Sequence, residues 1–201
     1  MIRVLLAEDQ AMMRGALAVL LDLEEDLEVV AQLADGAEIV PTALRLRPDV
    51  ALLDIELPGL SGLDAAAALA RELPSCRVVI VTTFGRPGYL QRAMAAGAVG
   101  FLVKDGPVEG LAEAIRQVAS GATVIDPELA GQALRTPPSP LTPRERDALA
   151  AAEDGATVAD IAGRLHLSES TVRNYLSDAI GKTGTRNKTE AARHARRHGW
   201  L

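Results

Sequence analysis

Aromatic residues are almost missing from this chain of 201 residues: two phenylalanines, two tyrosines and one tryptophan. Any core must therefore be packed by Leu, Val, Ile and Ala, which is feasible because 48% of the residues are hydrophobic. Cysteine is nearly absent as well. The single Cys76 excludes an internal disulfide and suits a reducing compartment, so a cytoplasmic location is expected. No apolar run approaches the ~20 residues of a membrane span, and no membrane partner is expected. The opening MIRVLLAED meets acids too early for a signal peptide. No internal repeat is visible. Basic charge is scarce in the first two thirds: residues 1–135 carry 11 Lys+Arg against 19 Asp+Glu, a net −8. Residues 136–201 carry 10 against 8, a net +2, and from Ile161 onward 8 against 3. The asymmetry fits an acidic domain joined to one that tolerates a polyanion, within a length that allows one large or two small domains.

What is present is an alternation. Short apolar runs at Ile2–Ala7, Leu27–Leu33, Val50–Asp54, Val78–Val81 and Gly100–Val103 read as buried strands. Helical spacing lies between them, over Met12–Leu23, Gly36–Arg47, Leu63–Leu73, Pro87–Ala96 and Pro107–Ser120. Pro41 falls inside the second helix and should distort its first turns. Five strands alternating with helices imply an α/β fold: a five-stranded doubly wound parallel sheet, flavodoxin-like, of order 2-1-3-4-5. RTPPSP at Arg135–Pro140 reads as a stiff linker. Four helical segments follow. They open at the capping box Thr142-Pro143-Arg144-Glu145, at Thr157 with Asp160, at Ser168, and at Asn187 with Glu190. The expected division is a domain over 1–125, a linker over 126–140 and an all-α four-helix domain over 141–201.

The order places the first and third strands side by side, so Glu8, Asp9 and Asp54 converge at the carboxyl edge of the sheet, where open α/β sheets hold their chemistry. Three carboxylates repel and raise one another's pKa unless a cation joins them. Oxygen-only donors at this charge density favour Mg²⁺. The fourth strand brings the hydroxyl of Thr82 to the same edge, and the fifth brings the ammonium of Lys104. Each residue has a plain structural explanation, as a helix cap, a turn residue or a solvated lysine. All five at strand ends fit a carboxylate nucleophile, Asp54, that accepts a phosphoryl group.

These residues carry a resemblance. Residues 1–125 resemble the receiver domain of bacterial two-component response regulators, through Glu8-Asp9, LLDIELPGLSG around Asp54, VTT at Thr82 and GFLVKD around Lys104. The resemblance implies that Asp54 takes a phosphoryl group from a sensor histidine kinase. It implies that Glu8, Asp9, Asp54 and the backbone carbonyl of Glu56 hold Mg²⁺, and that Thr82 and Lys104 grip the phosphoryl oxygens. Phe101 falls where the family carries its aromatic switch residue. The chain departs from the family at Asp105, where a proline is common, and at Pro41. A phosphohydrolase of the haloacid-dehalogenase type is the rival reading. It would resemble this chain in its aspartyl nucleophile, but it carries a second Asp two residues on, where this chain has Glu56.

In the last sixty residues, Thr157–Lys182 reads as helix, turn, helix. Ile161, Ala162 and Leu165 form one inner stripe, Leu167 packs in the turn, and Val172, Leu176 and Ile180 form the other. Arg173 and Asn174 on the outer face suit major-groove readout, and Lys182, Arg186 and Lys188 suit phosphates. Residues 141–201 resemble the LuxR-type helix-turn-helix domain, through LTPRERDAL, DIAGRLHLSESTVRNYLS and GTRNKTEA. The resemblance makes Ser170, Thr171, Arg173, Asn174, Ser177, Lys182, Arg186 and Lys188 the expected contacts to double-stranded DNA at promoter sites. It makes Lys188–His198 a dimerisation helix. Taken together, the chain resembles the NarL/FixJ class, and TTFGRPGYL resembles its desaturase-regulator (DesR-like) branch. The expected protein is a transcription regulator rather than an enzyme, forming a homodimer when phosphorylated.

Overall fold

The structure, a computed structural model, describes residues 1–83, 87–104, 108–135, 138–152 and 155–201. The chain falls into two compact units, Met1–Gly85 with Leu90–Gly131, and Arg86–Tyr89 with Gln132–Leu201.

The first unit is built on parallel strands β1 (Ile2–Ala7), β2 (Leu27–Leu33), β3 (Val50–Leu53), β4 (Arg77–Thr82) and β5 (Gly100–Val103). A sixth strand, β6 (Val124–Ile125), corrects the expected count of five. It pairs with Gly100 and Phe101, and the order becomes β2-β1-β3-β4-β5-β6. Helices α1 (Ala11–Asp22), α2 (Ile39–Leu46), α3 (Gly62–Glu72), α4 (Pro87–Ala95) and α5 (Val108–Ala119) lie between the strands. β3 is central, and all four of its residues are fully buried. Alternation along the strands sends Val4, Leu6, Leu52, Val79 and Val81 into one core with Ala18 and Leu21 of α1 and Ile115 and Val118 of α5. Leu5, Leu53, Ile80 and Phe101, all buried, belong by the same alternation to the opposite face.

Two local features differ from the sequence reading. Pro41 is the third residue of α2, which follows a 3₁₀ turn over Gly36–Glu38 capped by Asp35. The first four N–H groups of a helix lack intrahelical partners, so the proline removes no hydrogen bond there. Second, Pro127–Arg135 forms a helix, α6, where no element was expected. Asp126 caps it, accepting from Glu128 N–H at 2.9 Å and Leu129 N–H at 3.1 Å.

The second unit holds α7 (Pro143–Ala150), α8 (Val158–Leu165), α9 (Glu169–Thr183) and α10 (Lys188–Arg197). All four start where the caps placed them: Thr142, Thr157, Ser168 and Asn187 each accept a backbone N–H three residues on. Leu149, Ile161, Val172, Leu176, Ala191 and Trp200 share its core. Ala179 is the fully buried residue of the last turns of α9, and Ile180 only packs against the core. No helix among the described residues is long and apolar enough to cross a membrane.

Candidate acidic site and helix-turn-helix face

The register of the sheet assembles the first site. β1 and β3 pair with Ala7 opposite Leu53, so Glu8 and Asp54 leave the sheet together. Asp54 N–H donates to the Ala7 carbonyl at 3.0 Å. β4 and β5 pair with Thr82 opposite Val103, and Lys104 N–H donates to the Thr82 carbonyl at 2.9 Å. Glycine is required just beyond: a Cβ at Gly62 would sit 1.9 Å from the carbonyl oxygen of Asp54, so only glycine lets α3 begin this close.

Glu8, Asp9 and Asp54 each bring a carboxylate oxygen within 4.8 Å of the others. Glu8 is 1% exposed and ion-paired to the Lys104 ammonium, which also lies 3.1 Å from Asp54 Oδ2. Asp54 Oδ1 accepts from Ile55 N–H at 2.8 Å. Burial pushes the Asp54 carboxyl above the usual carboxylate range, and the Glu8 charge adds to this, while Lys104 pulls the other way. Three ionised carboxylates beside one ammonium leave a charge of −2. That balance and the hard oxygen donors fit a divalent cation such as Mg²⁺.

Thr82 is buried at the end of β4. Phe101, at the position that the resemblance gives to the aromatic switch residue, is fully buried. Glu56 is exposed on the loop after Asp54. Asp105 and the Phe84–Arg86 part of TTFGRPGYL lie outside the described residues. One basic group was missed. Arg14, on the first turn of α1, donates to the carbonyls of Glu8 at 2.6 Å and Asp9 at 3.3 Å. Its only sequence signal was its place one helical turn after the acid pair.

In the second unit α8 ends at His166 in the left-handed conformation, φ 53°, and Leu167 N–H donates to the Ala162 carbonyl. This turn aims α9. Ser170, Arg173, Asn174 and Ser177 are exposed on α9, and Thr171 is half-buried with its hydroxyl 2.8 Å from that of Ser168. Arg173 pairs with Glu169 at 2.6 Å. Arg186 is exposed. Lys182 and Lys188, two of the expected phosphate contacts, also have partners inside the domain. Lys182 Nζ donates to both carboxylate oxygens of Glu145, at 2.7 and 2.8 Å. Lys188 Nζ donates to the Ala156 carbonyl. Each ammonium adds a charged donor to an acceptor inside the domain, and the Glu145 carboxylate also accepts from Thr142 N–H.

Comparison with known proteins agrees with both halves. Residues 4–116 match the response regulator receiver domain, and residues 139–195 match the bacterial regulatory proteins of the luxR family. The chain is 48% identical to the uncharacterized transcriptional regulatory protein YvfU and 44% identical to the transcriptional regulatory protein DesR, both of Bacillus subtilis, with full coverage of each chain in both cases. The crystal structure of the response regulator ChrA, from a heme-sensing two-component system, is 33% identical with a TM-score of 0.58, covering 100% of this chain and 98% of that one. The fold also matches the Salmonella typhimurium response regulator RcsB, at 21% identity and a TM-score of 0.66, covering 98% of this chain and 100% of that one. The chain belongs to the two-component response regulators that join a receiver domain to a LuxR-type helix-turn-helix DNA-binding domain, and it is a transcriptional regulator of that family.

Proposed function

We propose that this regulator is switched by phosphorylation of Asp54 and acts on DNA as a homodimer in the cytoplasm. The observation that carries the reading is the convergence of Glu8, Asp9 and Lys104 on one buried aspartate. An oxygen of Asp54 attacks the phosphorus of a sensor histidine kinase's phosphohistidine. The P–N bond breaks, an acyl phosphate forms, and the leaving imidazole takes a proton. Glu8, Asp9, Asp54 and the backbone carbonyl of Glu56 would hold Mg²⁺, which would supply charge neutralisation on the transferring oxygens. Lys104 moves from its carboxylate partners to a phosphoryl oxygen, and the Thr82 hydroxyl donates to another. Thr82 and Phe101, on neighbouring strands, relay the change to the surface.

For the modification to alter the oligomer, it must favour the dimer over the monomer. Exposed apolar surface supports association. Met12 and Val19 stand on one side of α1 and Leu23 follows at its end, at 91%, 63% and 73% exposure. In the second unit, Ser170, Thr171, Arg173, Asn174, Ser177 and Arg186 meet DNA, and a dimer meets two half-sites. Lys182 and Lys188 serve the fold.

The test uses the full chain with acetyl phosphate and Mg²⁺. The wild-type protein gains a phosphoprotein band and elutes earlier on sizing. Asp54→Asn does neither, and chelating the metal removes the band. A band retained by Asp54→Asn would assign the phosphoryl group elsewhere.

A further inference from the structure

We infer that Arg14 is a positioning residue for the acidic cluster: it fixes the turn that carries Glu8 and Asp9, and so sets how tightly the cluster holds a divalent cation. The inference rests on the reading of that cluster as a Mg²⁺ site. The turn between β1 and α1 must hold two acids beside Asp54 against their mutual repulsion. A helix start is usually set by a cap. Here Gln10 makes no side-chain cap and the first turn of α1 has no acidic residue. The tethers lie elsewhere. Glu8 N–H donates to the Leu33 carbonyl at 3.0 Å, and Gln10 N–H donates to the Glu8 carboxylate at 3.2 Å. Arg14 supplies a charged clamp, with one guanidinium nitrogen on two successive carbonyls, those of Glu8 and Asp9.

The clamp matters most for Asp9. Glu8 is buried and held by Lys104, whereas Asp9 is exposed. An exposed acid repelled by two others swings outward unless its backbone is fixed. Without the clamp, bringing Asp9 back to the ion opposes binding. Residues that orient metal ligands in this way change affinity without touching the metal. Arg14 reaches the backbone rather than the carboxylates, so the chemistry at Asp54 is unchanged once the ion is bound.

The experiment titrates Mg²⁺ into full-length wild type, Arg14→Met, Arg14→Lys and Asp9→Asn. Two readouts are followed: the rise in melting temperature, and the rate of phosphorylation by acetyl phosphate. Arg14→Met is expected to need about tenfold more Mg²⁺ for half-saturation in both readouts, the low end for such residues. Its rate at saturating Mg²⁺ matches wild type, and Arg14→Lys falls between. An Arg14→Met protein that melts earlier without metal but keeps the wild-type half-saturation overturns the inference, because Arg14 is then only structural. A fall in the saturating rate without a shift in half-saturation also overturns it. Should Arg14→Met fail to fold, Arg14→Lys decides by the same comparison. If wild type itself responds to Mg²⁺ no more than Asp9→Asn does, the metal reading fails, and this inference with it.

Discussion

Glu145 occupies the third position of α7 and is buried, yet it stays ionised because it has partners on both sides. Its carboxylate accepts from Thr142 N–H at 2.8 Å and from the Lys182 ammonium. Burial pushes its carboxyl up, but Lys182 and Thr142 together outweigh that and hold it below the ordinary glutamate range. A carboxyl depressed by folding stabilises the protein above its unfolded value, and that stability is lost as pH falls through the folded value. Glu145→Gln, which cannot ionise, should cost about 2 kcal/mol near neutrality. The deficit should shrink as wild-type Glu145 protonates on acidification. Denaturant unfolding of both proteins across a pH series checks this, and a deficit independent of pH would deny the charge a role. The cap at Glu145 was legible in the sequence because Thr142 and Glu145 are three residues apart. Its tie to Lys182 was not, because the two are separated by 37 residues on different helices. Glu8, Asp9, Asp54, Thr82 and Lys104 were legible together for the opposite reason: parallel strands deliver their ends to one edge whatever the loop lengths.

At the scale of elements, the strands with long apolar runs and the helices with caps were legible, and the short or weakly marked pieces were not. β6 has two residues and acquires its identity only by pairing with β5. The start of α6 is marked by Asp126 and Pro127, a cap followed by proline at the first position, but the proline-rich stretch beyond drew the whole segment into a linker. Ser168 tests the cap logic where it positions α9. Its hydroxyl oxygen accepts from Thr171 N–H at 3.2 Å and sits 2.9 Å from that of Ser170. Ser168→Ala should cost about 1 kcal/mol in unfolding free energy, and Ser168→Gly only a few tenths, because glycine leaves the orphan N–H groups open to water. Equal costs for the two variants would show that the serine acts through packing instead.

For the whole molecule, charge decides how a polyanion is met. The first 135 residues carry −8 and are repelled by DNA, while the segment from Ile161 carries 8 basic against 3 acidic residues. Affinity must therefore come from a few phosphate contacts in the second unit, and it must fall as salt rises, by about 0.9 in the log–log slope for each phosphate neutralised. The structure divides the basic residues into two groups. Arg186 and Lys182 are both exposed, but Lys182 is held by Glu145 and the half-buried Lys188 by the Ala156 carbonyl. In the proposed homodimer each contact would be made twice. Arg186→Ala should then reduce the slope of the phosphodonor-treated protein by about two. Lys182→Met should leave the slope unchanged while lowering the melting temperature, since it strands the buried Glu145 carboxylate. Binding titrations on one duplex at several salt concentrations measure both, and a slope that falls with Lys182→Met but not with Arg186→Ala would reverse the assignment.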